Sequence, residues 1–364
     1  MFTESKTFLF DREITLQKES METIGVIGGG SFGSVLADMI GTKGYPVLHW
    51  YRSEASAANF NASRENRKYL PGITLSDKIT ATGDLEQVVR SSKLLIISVP
   101  SQYFREVSHR LGTWANNTHM LVSTTKGIEA NSFKLMTEIL LEETQCQMVG
   151  ALSGPNLAKE IVAKKPSGTV IASRSDEVIL KVQEVLSGPY FRVYSNHDVY
   201  GVELGGVLKN VYAIATGLAT ALKMGDNTIG MLITRALAEM CRFAAKMGSN
   251  PMTFLGLAGV GDLVTTCTSP LSRNFRIGLL IGEGATLEEA VNRIGEVAEG
   301  VHTISVVKQK ALQLGIRMHI LEGLHALLFE GKDLPAVLQQ LMNVPQMEDV
   351  EFVYRPTQAP GLNV

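Results

Sequence analysis

The sequence predicts a two-part molecule: an α/β N-terminal half on a doubly wound, mostly parallel sheet, followed by an all-α C-terminal half. Three observations carry that prediction. Short β-branched runs alternate with helical segments up to residue 197, the pattern of a parallel sheet with helices on both faces. From Asp198 to about Gln346 the periodicity is helical, with no convincing strand. A glycine-rich turn sits directly between the first strand and the first helix. At 364 residues the chain exceeds one ordinary domain. We divide it into a loose extension over 1–21, the sheet-bearing half over 22–197, the helical half over 198–350 and a loose tail over 351–364.

Each element has its own signal. "TIGVI" (Thr23–Ile27) is a β-branched run ending in glycines, hence a buried strand. "SVLADMIGTKG" reads as a helix closing at Gly44, and "PVLHWYR" as a second strand. "KLLIISVPS" (Lys93–Ser101) is a strand stopped by proline; "THMLVSTTKGI" is another, followed by the helical "SFKLMTEILLEE". "CQMVGALSGPN" and "GTVIAS" read as two more strands. The second half offers "ITRALAEMCRFAAKMG", "TLEEAVNRIG", "VHTISVVKQKALQLG" and "PAVLQQLMN", most of them bounded by glycine or proline. Joining the two halves places a cleft at their junction.

Composition excludes several classes. Apolar residues make up 45% of the chain, enough for packed cores. A net charge of −2 offers no basic surplus for nucleic acid or an anionic membrane. No apolar run reaches the roughly 18 residues that insertion into a bilayer requires. Cys146, Cys241 and Cys267 are far apart and form no metal-ligand spacing. Isolated thiols suit a reducing compartment, here the cytoplasm. The N-terminus scatters acids and bases, which is not the pattern of a signal peptide.

"GVIGGGSFGSVLA" supplies Gly28, Gly30 and Gly33 in GxGxxG spacing, after a strand and before a helix. Gly28 permits the tight turn, Gly30 a close approach to a pyrophosphate, and Gly33 the packing of helix on strand. The helix N-terminus then presents N–H groups to the phosphates. The second strand ends in "HWYRSE", with Arg52 and Ser53 before Glu54. An arginine there accepts a 2′-phosphate, so NADP is expected alongside NAD; Arg52 as a solvated surface charge is the alternative.

Ligands in open α/β sheets bind beyond the carboxyl ends of the strands. Three such ends, "SVPSQ", "STTKGIE" and "LSGPNLAKE", bring Lys126, Ser153 and Asn156 toward the cleft. Lys126 reads either as a surface lysine or as a ligand contact, and "SGPN" either as a binding turn or as an ordinary loop. In the helical half, "SPLSRN" makes Ser272 a candidate N-cap, with Arg273 and Asn274 beside it as a phosphate cradle. Glu296, Glu299 and His302 lie close together; without a clear ligand set we read them as a solvated turn rather than a metal site. "ELGGVLKNVYAIATGLATAL" (Glu203–Leu222) carries a single charge past its opening glutamate, Lys209. Either Lys209 snorkels to solvent, or it points into the cleft as an acid–base group. In the second case burial and Lys126 lower its pKa, and Asp262 opposes them and orients it.

Taken together, "GGGSFG", "SVPSQ", "TTKGIE", "LSGPN", "ELGGVLKNVYAIATG", "GLAGVGDLVTTC" and "SRN", in this order, resemble the bacterial NAD(P)-dependent glycerol-3-phosphate dehydrogenase family. The resemblance runs from about Thr23 to about Gln346. It implies an N-terminal Rossmann domain, a C-terminal helical domain of the 6-phosphogluconate dehydrogenase-like type, and interconversion of dihydroxyacetone phosphate and sn-glycerol 3-phosphate for phospholipid synthesis. It places proton transfer on Lys209, with Lys126 and Asp262 as its catalytic partners. Substrate contacts fall on Lys126, Gly154, Asn156, Lys209, Asp262, Ser272, Arg273 and Asn274. Cofactor contacts fall on Gly28, Gly30, Ser31, Phe32, Gly33, Arg52, Lys126, Ala158, Arg273, Val297 and Glu299. No metal is implied. The chain departs from the family's usual pattern at Gly29, at Phe32 and at Asn156, which replaces a hydroxyl residue.

Two other readings stay open. Another two-domain β-hydroxyacid or ketopantoate-type reductase would share the glycine loop and the lysine, but would bind a carboxylate, against which "SRN" argues. A dinucleotide-sensing protein without catalysis would have no use for a buried proton donor. The expected partner is a small phosphorylated molecule, with neither nucleic acid nor membrane insertion; a homodimer is possible, though nothing in the sequence marks its face.

Overall fold

The computed structural model describes residues 21–295 and 299–345. Most of the expected extension, the expected tail, Glu296 and Val297 lie outside the described residues. The sheet-bearing half runs β1 (Ile24–Ile27), α1 (Ser31–Thr42), β2 (Val47–Trp50), α2 (Glu54–Ser63), β3 (Ile79–Thr82), α3 (Leu85–Ser91), β4 (Leu94–Ile97) and α4 (Phe104–Gly112). It continues through β5 (Met120–Ser123), α5 (Met136–Glu143), β6 (Met148–Ser153), α6 (Ala158–Val162), β7 (Ser167–Ser173), α7 (Asp176–Leu186) and β8 (Phe191–Asn196). The strand order is β3-β2-β1-β4-β5-β6-β7-β8. Every neighbouring pair is parallel except β6 with β7. The order reverses direction between β1 and β4, so the crevice for a ligand opens where β1 passes into α1.

Central strands are continuous apolar runs because both faces are covered. In β4, Leu94 and Ile96 pack with α1, α6 and α7, while Leu95 and Ile97 pack with α3, α4 and α5. The two strands without a clear signal in the sequence, β3 and β8, are the two edges of the sheet. Each alternates buried with exposed positions, as in Arg192 and Tyr194 of β8, so neither presents a full apolar run.

Beyond Asp198 the described residues are helical: α8 (Val199–Ala221), α9 (Asp226–Lys246), α10 (Asp262–Thr268), α11 (Arg273–Gly282), α12 (Leu287–Ile294), α13 (Glu299–Gln313), α14 (His319–Phe329) and α15 (Leu334–Met342). The core helix α8 is buried along most of its length against α9, α10, α11 and α13.

One local expectation fails. The segment "SFKLMTEILLEE" reads as helical from Ser132, yet α5 starts at Met136. Phe133 adopts a left-handed conformation (φ 58°), and Ile128 bridges Leu135. The cause is tertiary: Ile128, Phe133 and Leu135 leave the sheet-bearing half and join the core of the helical half, where Phe133 meets Phe243 with ring centroids 5.8 Å apart.

Candidate active site

β1, β4, β5 and β6 run parallel, so the loops after them open on one edge of the sheet. At the first, Gly28 has φ +121°, and an added Cβ would lie 2.2 Å from the Ser98 carbonyl oxygen. At Gly33 a Cβ would lie 2.2 Å from the Gly28 carbonyl oxygen. Both glycines are therefore required by the strand–helix turn itself. A Cβ at Gly30 would meet nothing within 4 Å, so that side of the loop is open, as a pyrophosphate-binding turn needs. Ser31 and Phe32 begin α1, Ala158 begins α6, and Arg52 follows β2 with its guanidinium 5.5 Å from the Tyr103 ring centroid. The residues present thus fit a dinucleotide.

The centre of the cleft is a buried carboxylate shared by two lysines. Asp262, 1% exposed, begins α10 directly after a π-helical turn over Leu257–Gly261. One of its oxygens accepts from Lys209 Nζ, and the other from Lys126 Nζ at 2.7 Å. Lys209 Nζ also donates to Thr266 Oγ1 at 2.8 Å, one helical turn beyond Asp262. Lys126 Nζ donates to the Gly154 carbonyl at 2.8 Å. Lys209 is 5% exposed, so it does not reach bulk solvent. Burial pulls its pKa down to about 7; Asp262 opposes that shift and the charge of Lys126 reinforces it. With Lys209 protonated, two ammonium groups around one carboxylate leave the cluster with a positive surplus, suited to an anionic substrate.

The helix positions follow from close backbone contact. A Cβ on Gly278 of α11 would lie 2.0 Å from the Ile214 carbonyl oxygen of α8, which fixes α11 against the helix carrying Lys209. Ser272 caps α11, its Oγ accepting from Phe275 N at 3.3 Å. Asn274 is buried and donates to Asn210 Oδ1 at 3.0 Å. Of the three residues in the expected phosphate cradle, Arg273 alone is exposed. Glu299, at the start of α13, accepts from Ser101 N at 3.3 Å and links the helical half to the loop after β4. Burial raises its pKa, against the charges of Arg273 and Lys126.

Asn156 turns inward, its Nδ2 donating to Thr169 Oγ1 at 2.8 Å. Its Oδ1 is buried with no hydrogen-bond partner. His302 is exposed, and no three His, Cys, Asp or Glu side chains among the described residues group to hold a metal ion. Sequence reasoning missed Thr266, although its spacing of four from Asp262 on a helix would have found it. It also missed Asn210 and Ser101.

Two family models match this chain. Residues 23–179 match the family described as NAD-dependent glycerol-3-phosphate dehydrogenase N-terminus, and residues 198–339 match its C-terminus. A glycerol-3-phosphate dehydrogenase [NAD(P)+] of Saccharophagus degradans is 52% identical over 333 residues, covering 92% of this chain and 93% of that protein. The crystal structure of a glycerol-3-phosphate dehydrogenase from Coxiella burnetii superposes with a TM-score of 0.84 at 35% identity, covering 89% of this chain and 99% of that one. The yeast glycerol-3-phosphate dehydrogenase structure gives 0.78 at 27% identity, covering 88% and 99%.

Proposed function

This chain belongs to the NAD-dependent glycerol-3-phosphate dehydrogenase family, and from that premise we propose how its cleft carries out the reaction. The protein is an NAD(P)-dependent oxidoreductase that interconverts dihydroxyacetone phosphate and sn-glycerol 3-phosphate. A bound reduced nicotinamide supplies the hydride for C2 of the ketone. Lys209, as its ammonium, donates a proton to the C2 oxygen; in the reverse direction the neutral amine removes it. A pKa near 7 makes both forms available near neutrality. Asp262 orients the amine, and Lys126 adds positive charge beside the oxygen. Arg273 meets the phosphate at the N-terminus of α11, remote binding energy that orients the reacting carbon.

The observation that carries this reading is the single buried carboxylate of Asp262 gripping both lysines at the junction of the halves. For the cofactor, Glu54 accepts from Gly83 N at 2.8 Å, which supports Arg52 rather than Glu54 as the charged group that meets the adenine ribose. We therefore assign NADPH as a substrate alongside NADH. The three cysteines are all buried and unpaired, which supports a cytoplasmic site for the first step toward phospholipid glycerol. The test is to mix protein, NADH or NADPH and dihydroxyacetone phosphate and follow nicotinamide absorbance. Rapid loss is expected. Loss only with a 2-keto acid would select the carboxylate-binding reductase, and binding without loss the sensor.

A further inference from the structure

The glycine turn is braced from beneath by side chains outside its motif. His49, in the middle of β2 and fully buried, lies with Nε2 3.0 Å from the Gly28 carbonyl oxygen. Burial holds its pKa down to about 4, so the ring is neutral with one N–H, and a carbonyl neighbour places that proton on Nε2. Asn66, in the loop after α2, donates from Nδ2 to the Gly29 carbonyl at 3.0 Å and to Ser34 Oγ at 2.8 Å. Asn66 and Ser34 are both buried. Gly29 is closed in on another side by Tyr51, whose ring would lie 2.3 Å from an added Cβ.

A trans peptide points its C=O and the following N–H in opposite directions. With the Gly28 and Gly29 carbonyls drawn inward, the N–H groups of Gly29 and Gly30 point outward, and neither has a backbone partner among the described residues. Were either peptide to flip, a carbonyl oxygen would face the phosphates instead. We propose that Asn66, together with His49, is a positioning residue for the pyrophosphate: the two hold the glycine turn with its N–H side toward the anion. The proposal rests on the reading of this turn as a dinucleotide site.

The test uses equilibrium binding to the full chain, followed by quenching of tryptophan fluorescence, with NADPH, ADP and adenosine as probes. In Asn66→Ala, NADPH and ADP are expected to bind roughly tenfold more weakly. Adenosine, which has no pyrophosphate, stays within about twofold. Asn66→Asp, equal in size but without the donors, gives the same pattern should the alanine variant fold poorly. Unchanged ADP affinity in a folded variant overturns the proposal, as does a parallel loss of adenosine, which would indicate general damage. Wild-type protein that binds neither NADPH nor ADP would instead sink the dinucleotide reading itself.

Discussion

Lys209 is an ammonium inside a helix of small and apolar side chains, a placement tolerable only with a counter-charge. Asp262 supplies it, and the same carboxylate fixes where the amine points. In Lys209→Met the length is nearly kept and the proposed proton carrier is lost. Turnover should fall about 10²–10⁴-fold while the dissociation constant for NADPH stays within about twofold; near-normal turnover would remove Lys209 from the chemistry. The sign of the pH dependence follows from the lowered pKa. On the proposed mechanism ketone reduction needs the ammonium, so its kcat/KM is expected to decline as pH rises through about 7; alcohol oxidation needs the amine and is expected to rise over the same range. A flat profile in both directions between pH 5 and 9 would contradict the assignment. Arg52→Asp should abolish acceptance of NADPH relative to NADH, read as the ratio of the two kcat/KM values. An unchanged ratio would leave Arg52 as a surface charge stacked on Tyr103.

Among the elements, α8 is held at two points near its N-terminus. Asp198 caps it through Gly201 N and also accepts from Ser249 Oγ, Asn250 N and Thr253 Oγ1. Less than two turns before Lys209, the buried Glu203 accepts from both Thr137 N and Thr137 Oγ1 at the start of α5, tying α8 to the sheet-bearing half. Burial raises the Glu203 pKa to about 7. A carboxyl raised in the folded state contributes stability that is present below its unfolded pKa of 4.5 and lost as pH rises through about 7. The loss is on the order of 3 kcal/mol. Glu239, buried in α9, is raised into the same range, so Glu203→Gln should remove only its own part. The denaturant midpoint of the wild type should drop between pH 5 and 8 by more than that of the variant; equal drops would mean that Glu203 does not titrate there.

At the scale of the whole molecule, the parts legible in the sequence were those set by local chemistry. The buried strands β1, β4, β5 and β6, the glycine turn, the Ser272 cap and the switch to helix at Asp198 each follow from periodicity or capping within a short window. Lys209, Lys126 and Asp262 were legible as candidates because a charge in an apolar run and polar strand ends are themselves anomalies. The edge strands β3 and β8 were not legible, because half-exposed strands lack the apolar run. Nor was the late start of α5, because Phe133 answers to a core built from the other half of the chain. The brace of His49 and Asn66 escaped notice for the same reason: a polar residue under a loop has no sequence period. By itself, then, the sequence determined which residue types meet at the junction and which turn opens toward a dinucleotide. Only the tertiary structure decided that one carboxylate, 53 positions from Lys209 and 136 from Lys126, holds both, since separations of that size are closed by packing and not by propensity.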